Sequence, residues 1–80
     1  MKYGVYAIKD VKTAFMPANV DYNDASAIRN FEHACESPDS LFFSHSKDFS
    51  LYKIGEFDNE SGVITPINPP EFLCDAKEVV

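Results

Sequence analysis

Asn23-Asp24-Ala25-Ser26-Ala27-Ile28-Arg29-Asn30-Phe31-Glu32-His33-Ala34-Cys35-Glu36-Ser37-Pro38 is the stretch that decides the fold class. Ala27, Ile28, Phe31, Ala34 and Cys35 recur at three- and four-residue spacing and so make one apolar stripe on a helix. Arg29, Asn30, Glu32, His33 and Glu36 fall mostly on the other side. Asn23 or Asp24 can cap the free amides at the start, and Asp24 suits the positive end of the helix dipole. Pro38 stops the helix, because the residue before a proline is pushed out of the α region. A single amphipathic helix of this kind needs a partner layer, and the flanking sequence supplies strands.

Before the helix, residues 3–8 (Tyr-Gly-Val-Tyr-Ala-Ile) are β-branched and aromatic, with Tyr3, Val5 and Ala7 on one face and Tyr6 and Ile8 on the other. Lys9 to Lys12 reads as a turn into a shorter strand around Thr13 to Met16, which Pro17 ends or confines to an edge. After the helix, Leu41, Phe42 and Phe43 form an apolar cluster in a polar stretch, a packed loop or short helical turn. Leu51 to Phe57 and Val63 to Ile67 read as a hairpin around Asp58-Asn59-Glu60-Ser61-Gly62, with Gly62 at positive φ. The expected class is α+β, a small antiparallel sheet of about four strands in the order β-β-α-β-β with one helix on a face. Residues 1–67 form the domain. Asn68-Pro69-Pro70 blocks regular pairing, so residues 68–80 are expected to be a tail or an arm that docks on a partner.

Eighty residues allow one domain near the size at which a core becomes marginal, and self-association would add stability. Seven Phe and four Tyr in a chain that is 45% hydrophobic argue for folding over disorder. Seven Lys and Arg against thirteen Asp and Glu give a net charge of −6. Polyanion binding is driven by cations that neutralise phosphates, and no basic stripe is present. The first residues lack the apolar core of a signal peptide, and no stretch has the length of a membrane span. Cys35 and Cys74 share no metal spacing or disulfide-scaffold pattern, so a reducing cytoplasmic setting is expected, with no membrane partner.

No catalytic set assembles from the sequence. His45 near Ser44 and Asp48 makes a short Ser/His/Asp cluster, but such triads come from distant segments, and no nucleophile elbow accompanies it. Cys35 is a small core residue on the helix stripe. Cys74 lies beside Asp75, which disfavours a thiolate. Glu56, Asp58, Asn59 and Glu60 lack the spacing of a calcium loop, and no glycine-rich phosphate loop occurs. The chain is therefore read as a binding or regulatory protein, not an enzyme, with no metal and no cofactor. Two contact sets are candidates. Lys2, Lys9, Lys12 and Lys53 with Tyr3, Tyr6 and Tyr52 could bind single-stranded DNA by charge and stacking. Tyr52 on a sheet face, or Phe72 and Leu73 in the tail, could meet a protein partner. Ordinary sheet packing explains most strand aromatics and competes with both.

Asp24-Ala25-Ser26-Ala27-Ile28-Arg29-Asn30-Phe31, the run Ser44 to Asp58 with its Leu51-Tyr52-Lys53-Ile54-Gly55-Glu56-Phe57-Asp58 string, and Gly62-Val63-Ile64-Thr65-Pro66 together resemble the small non-structural protein of gokushoviruses, single-stranded DNA phages of the microvirus family. The resemblance spans roughly residues 3–67, with Ser46 where that family commonly has a proline. It implies a non-virion protein made in the host cytoplasm and acting in single-stranded DNA synthesis or the switch from replication to packaging. The acidic composition favours action through a protein partner, the phage replication initiator or a host replication protein. Direct binding of single-stranded DNA is one alternative, and an acidic DNA mimic or assembly module is another.

Overall fold

The computed structural model describes residues 1–76, and these form one four-stranded antiparallel sheet with helices on one side. The strands are β1 (Lys2–Asp10), β2 (Asn19–Asp21), β3 (Phe49–Asp58) and β4 (Ile64–Asp75), in the sheet order β2-β1-β3-β4. Helix α1 covers Asp24–Glu36, and a four-residue α2 (Leu41–Ser44) runs into a 3-10 turn over Ser46–Asp48. The α+β order and the one-helix face expected from the sequence are those observed.

Helix α1 starts where the side chains dictate. Asn23 is extended, and its Oδ1 accepts a hydrogen bond from the Ser26 amide at 2.8 Å. A second polar tie fixes the approach to the helix: Asp21 at the end of β2 accepts from the Tyr22 amide at 2.8 Å and from Asn30 Nδ2 at 2.7 Å. Burial would raise the Asp21 carboxyl, but the hydrogen bonds outweigh it and hold the group below its ordinary range. Ala27, Phe31 and Cys35 are the buried residues of the helix, the predicted stripe. They pack on Tyr6, Phe49, Leu51, Cys74 and Ala76, with Ile8, Ile28, Phe42 and Leu73 at the margin. Three rings interlock there: Phe42 lies 6.1 Å from Phe31 and 4.8 Å from Phe49, both edge-on. The predicted apolar cluster of residues 41–43 thus divides. Phe42 turns inward, while Leu41 and Phe43 stay exposed.

Two expectations are corrected. The second strand was expected at Thr13 to Met16, but that segment makes a single bridge, Lys9 to Phe15, and the paired strand is Asn19–Asp21. Pro17 has no amide to give, so pairing breaks there and resumes beyond it against Gly4, Val5 and Tyr6. The C-terminal segment from residue 68 was expected to leave the domain. Instead β4 continues to Asp75, with Glu71, Phe72, Cys74 and Asp75 paired to Lys53, Tyr52, Leu51 and Ser50. The prolines do interrupt the ladder, since residues 67–70 bulge between the Pro66–Gly55 and Glu71–Lys53 pairs. Burial of Cys74 and Ala76 then favours re-pairing, because both lie in the core. The last four positions of the predicted tail, 77–80, lie outside the described residues. The hairpin reading holds, with Gly62 at φ 76° and its amide donating to the Asp58 carbonyl at 2.8 Å.

Two stability outcomes follow from this packing. Phe31→Ala removes the ring at the centre of the helix–sheet contact and should cost about 3–5 kcal/mol in urea unfolding. Deleting residues 68–80 strips two thirds of an edge strand and two core side chains, so the truncated chain should lose its cooperative thermal transition by circular dichroism. A freely mobile tail would leave that transition unchanged.

Candidate functional site: the open aromatic face of the sheet

β1 keeps its alternation across a register shift between Val5 and Tyr6, where β3 carries the extra residue Ile54, so the β1 side chains still sort between the two sides. Tyr6 and Ile8 point at the helix, and their partners Lys53 and Leu51 share that side. Tyr3, Val5, Ala7 and Lys9 therefore point the other way, with Phe57, Tyr52 and Ser50 opposite them on β3. On the outer strands, Val20 pairs with Val5, Phe72 with Tyr52, Ile64 with Phe57 and Asp75 with Ser50. No helix covers this second face among the described residues.

The rings on this face form two groups, one at each end. At one end Tyr3 sits between Tyr22, edge-on at 5.7 Å, and Phe57, stacked at 6.5 Å. At the other, Tyr52 meets Phe15 at 5.4 Å and Phe72 at 5.7 Å, both edge-on. Lys9 Nζ lies 5.7 Å from the Phe15 ring centre and 5.8 Å from that of Tyr52, within cation–π range of both. Val5 and Ala7 lie between the groups and are buried under them. Several of the remaining apolar side chains stay open to solvent: Tyr22 at 69%, Ile64 at 59%, Val20 at 51% and Phe72 at 50%. Among the paired positions of this face, the charged side chains are Lys9 and Asp75, and Ser50 Oγ donates to Asp75 at 2.6 Å. The face is close to neutral in a chain of net charge −6.

The predicted contact residues are split by this geometry. Lys9, Tyr3, Tyr52 and Phe72 share the open face. Tyr6 and Lys53 do not: they sit on the helix side, joined through Asp24 at the first turn of α1. Tyr6 Oη donates to Asp24 Oδ1 at 2.6 Å, and Lys53 Nζ lies 3.4 Å from the same oxygen. Lys2 borders this polar node, in a shallow cleft with Gly4, Asp24 and Glu56. Lys12 is exposed in the turn after β1, where its amide bonds Asp10 Oδ1 at 2.9 Å. Leu73, placed in the tail by sequence, sits at the β4 bulge and packs against the core. The seven residues proposed for DNA therefore do not form one surface. Phe15, Tyr22, Phe57 and Ile64 belong to the open face and were missed. The pairing that brings them together was not apparent from spacing, although Tyr3, Val5 and Ala7 were read as one face; Lys9, read as the start of a turn, extends that face within β1.

The remaining candidates stay bland. Ser44 Oγ and His45 Nδ1 are 2.9 Å apart on an exposed turn, and Asp48 meets His45 through its backbone amide. Cys35 is fully buried, and burial, then Glu32 and Glu36, push its thiol up, away from the reactive thiolate. Among the described residues, no group of three or more side chains could hold a metal ion, and no helix is long and apolar enough to cross a membrane.

The polar node makes a testable statement. Burial, then the hydrogen bond and charge of Asp24, raise the Tyr6 phenol well above its ordinary 10.0. A folded-state pKa above the unfolded one means full stability below the unfolded value and progressive loss as pH rises beyond it. The urea midpoint should therefore fall as pH rises from about 10 upward, and Tyr6→Phe should flatten that fall. An unchanged slope in the variant would count against the node.

A family model described as Phage ORF5 protein matches residues 3–79 of this sequence. No curated protein and no solved structure matches the chain.

Proposed function

We propose, from the premise that the chain belongs to the Phage ORF5 protein family and is thus a bacteriophage protein, that it is a non-enzymatic accessory factor of single-stranded DNA synthesis or of the hand-over from replication to packaging, working through protein contacts. The resemblance of residues 3–67 to the small non-structural protein of gokushoviruses supports the single-stranded DNA stage and an action in the host cytoplasm. The observation that carries the mode of action is the open sheet face, apolar, aromatic and nearly neutral. Surfaces of this composition meet proteins, because aromatic side chains dominate interface cores while charged residues are depleted there. The phage replication initiator is the first partner to expect, and a host replication protein the second.

Direct binding of single-stranded DNA has one observation in its favour, the Lys9 ammonium over Phe15 and Tyr52. Such rings can stack bases. Yet a strand crossing this face would meet one lysine and the Asp75 carboxylate, while Lys53 is engaged with Asp24 on the far side. Counterion release, the usual source of such affinity, would be small.

Two measurements decide between the readings. Tagged protein recovered from infected cells should carry the replication initiator or a host replication protein, and Phe72→Glu should lose it. Recovery of neither protein would end the partner reading. Fluorescence anisotropy with labelled single-stranded DNA should show little binding at physiological salt. Tight binding that falls steeply with salt, and that Lys9→Ala weakens, would put the DNA reading in its place.

A further inference from the structure

We infer that the open face closes on the same face of a second copy of this chain, giving a two-fold sandwich with both helices outside. The inference rests on reading that face as a protein-contact surface, and it names a second copy as the occupant in the free protein, which a replication partner using the same face would displace.

Charge is the first argument. The molecule carries a net charge of −6, so most pairs of its surfaces repel when brought together. The open face is the exception: Lys9 and Asp75 are its charged positions among the paired residues, one of each sign. A face that is nearly neutral can meet its own copy without burying unpaired like charge. A basic partner would find little there to complement, and a polyanion would find less.

Area is the second. Taking ~200 Å² for a large aromatic side chain, the open fractions of Tyr22, Phe72 and Phe15, with Val20, Ile64 and the half-buried rings, leave ~600 Å² per copy. That lies close to the ~800 Å² per partner of a standard interface. Two such faces stack as antiparallel sheets do, about 10 Å apart, with side chains interleaved. The rows of rings at the two ends, with the lower Val5–Ala7 floor between them, give the relief that interleaving needs.

The sheet edges are the third. Edge-to-edge growth is the competing way for a small sheet to self-associate. Here one edge is the three-residue β2, and the other is β4, carrying Pro66, Pro69 and Pro70 and a bulge. Prolines and bulges blunt an edge. The face remains as the surface through which an eighty-residue domain can enlarge its core.

Sedimentation equilibrium on the full chain, from low micromolar to near-millimolar concentration, tests this. The average mass should rise from 9.0 kDa toward twice that value, with little change on adding salt. Val20→Glu and Phe72→Glu each place a carboxylate within the contact, one on each outer strand, and should weaken association at least about tenfold. Both positions are about half exposed in the single chain, at 51% and 50%, so circular dichroism should show an intact fold. Leu41→Glu, on the helix side, should associate like the parent chain. A mass that stays at 9.0 kDa throughout would overturn the inference. So would a dimer that both face variants leave intact, or one that Leu41→Glu disrupts. A monomer that still captures the replication initiator would leave the proposed function standing without the dimer. A dimer that captures nothing would do the reverse.

Discussion

One helix covers one face of a four-stranded sheet, and the rest of the molecule follows from that inequality. A sheet presents apolar side chains on both sides wherever its strands alternate large residues with large residues, as β1 does with Tyr3, Val5 and Ala7 against Tyr6 and Ile8. Thirteen helical residues can bury only one of these sets. The chain meets the shortage in two ways. It drives β4 past its prolines so that Cys74 and Ala76 complete the covered side. On the uncovered side it packs rings edge to face over Val5 and Ala7, which brings those two residues to 6% and 3% exposure without any second layer. Rings that act as a roof must themselves face outward. The exposed aromatic face is thus a by-product of protecting the sheet.

The covered side shows the opposite treatment of polarity. Asp24 serves the helix dipole, accepts the Tyr6 hydroxyl and sits beside Lys53, so three elements meet at one carboxylate. Gly4 makes room for this: a Cβ there would run into the Tyr6 ring. That conflict gives a reason for glycine inside a strand whose neighbours are all large. Two of the four lysines that sequence reading assigned to nucleic acid, Lys2 and Lys53, stand on this side for the same reason that Tyr6 does, strand parity.

The helix was legible in its span and stripe, with its cap narrowed to Asn23 or Asp24, because capping and 3.6-residue spacing are local properties. The hairpin was legible as well, since Gly62 marks a turn by itself. What could not be read were the places where a local obstacle yields to a distant gain. Pro17 and Pro69-Pro70 each look like strand ends, and each does break pairing, yet in both cases the strand resumes because side chains beyond the break find buried or paired positions. The open face was half legible. Tyr3 and Tyr52 could be found from strand composition, but Phe15, Tyr22 and Phe57 join them only through register.

Strand parity also bears on how such a small protein can work in a cell full of nucleic acid. A chain that used its aromatic face to stack bases would need cations on the same side of the sheet as its rings. The sequence places Lys2 and Lys53 at the opposite parity, and Lys9 alone of the four predicted lysines at the matching one. With Asp75 hydrogen-bonded to Ser50 in the same row as Lys9, even that charge is offset. A net charge of −6 distributed in this way disfavours capture of the rings by phosphate backbones and suits the protein contact proposed for them. The acidic balance then works with the aromatic face, as the property that would make the proposed contacts selective.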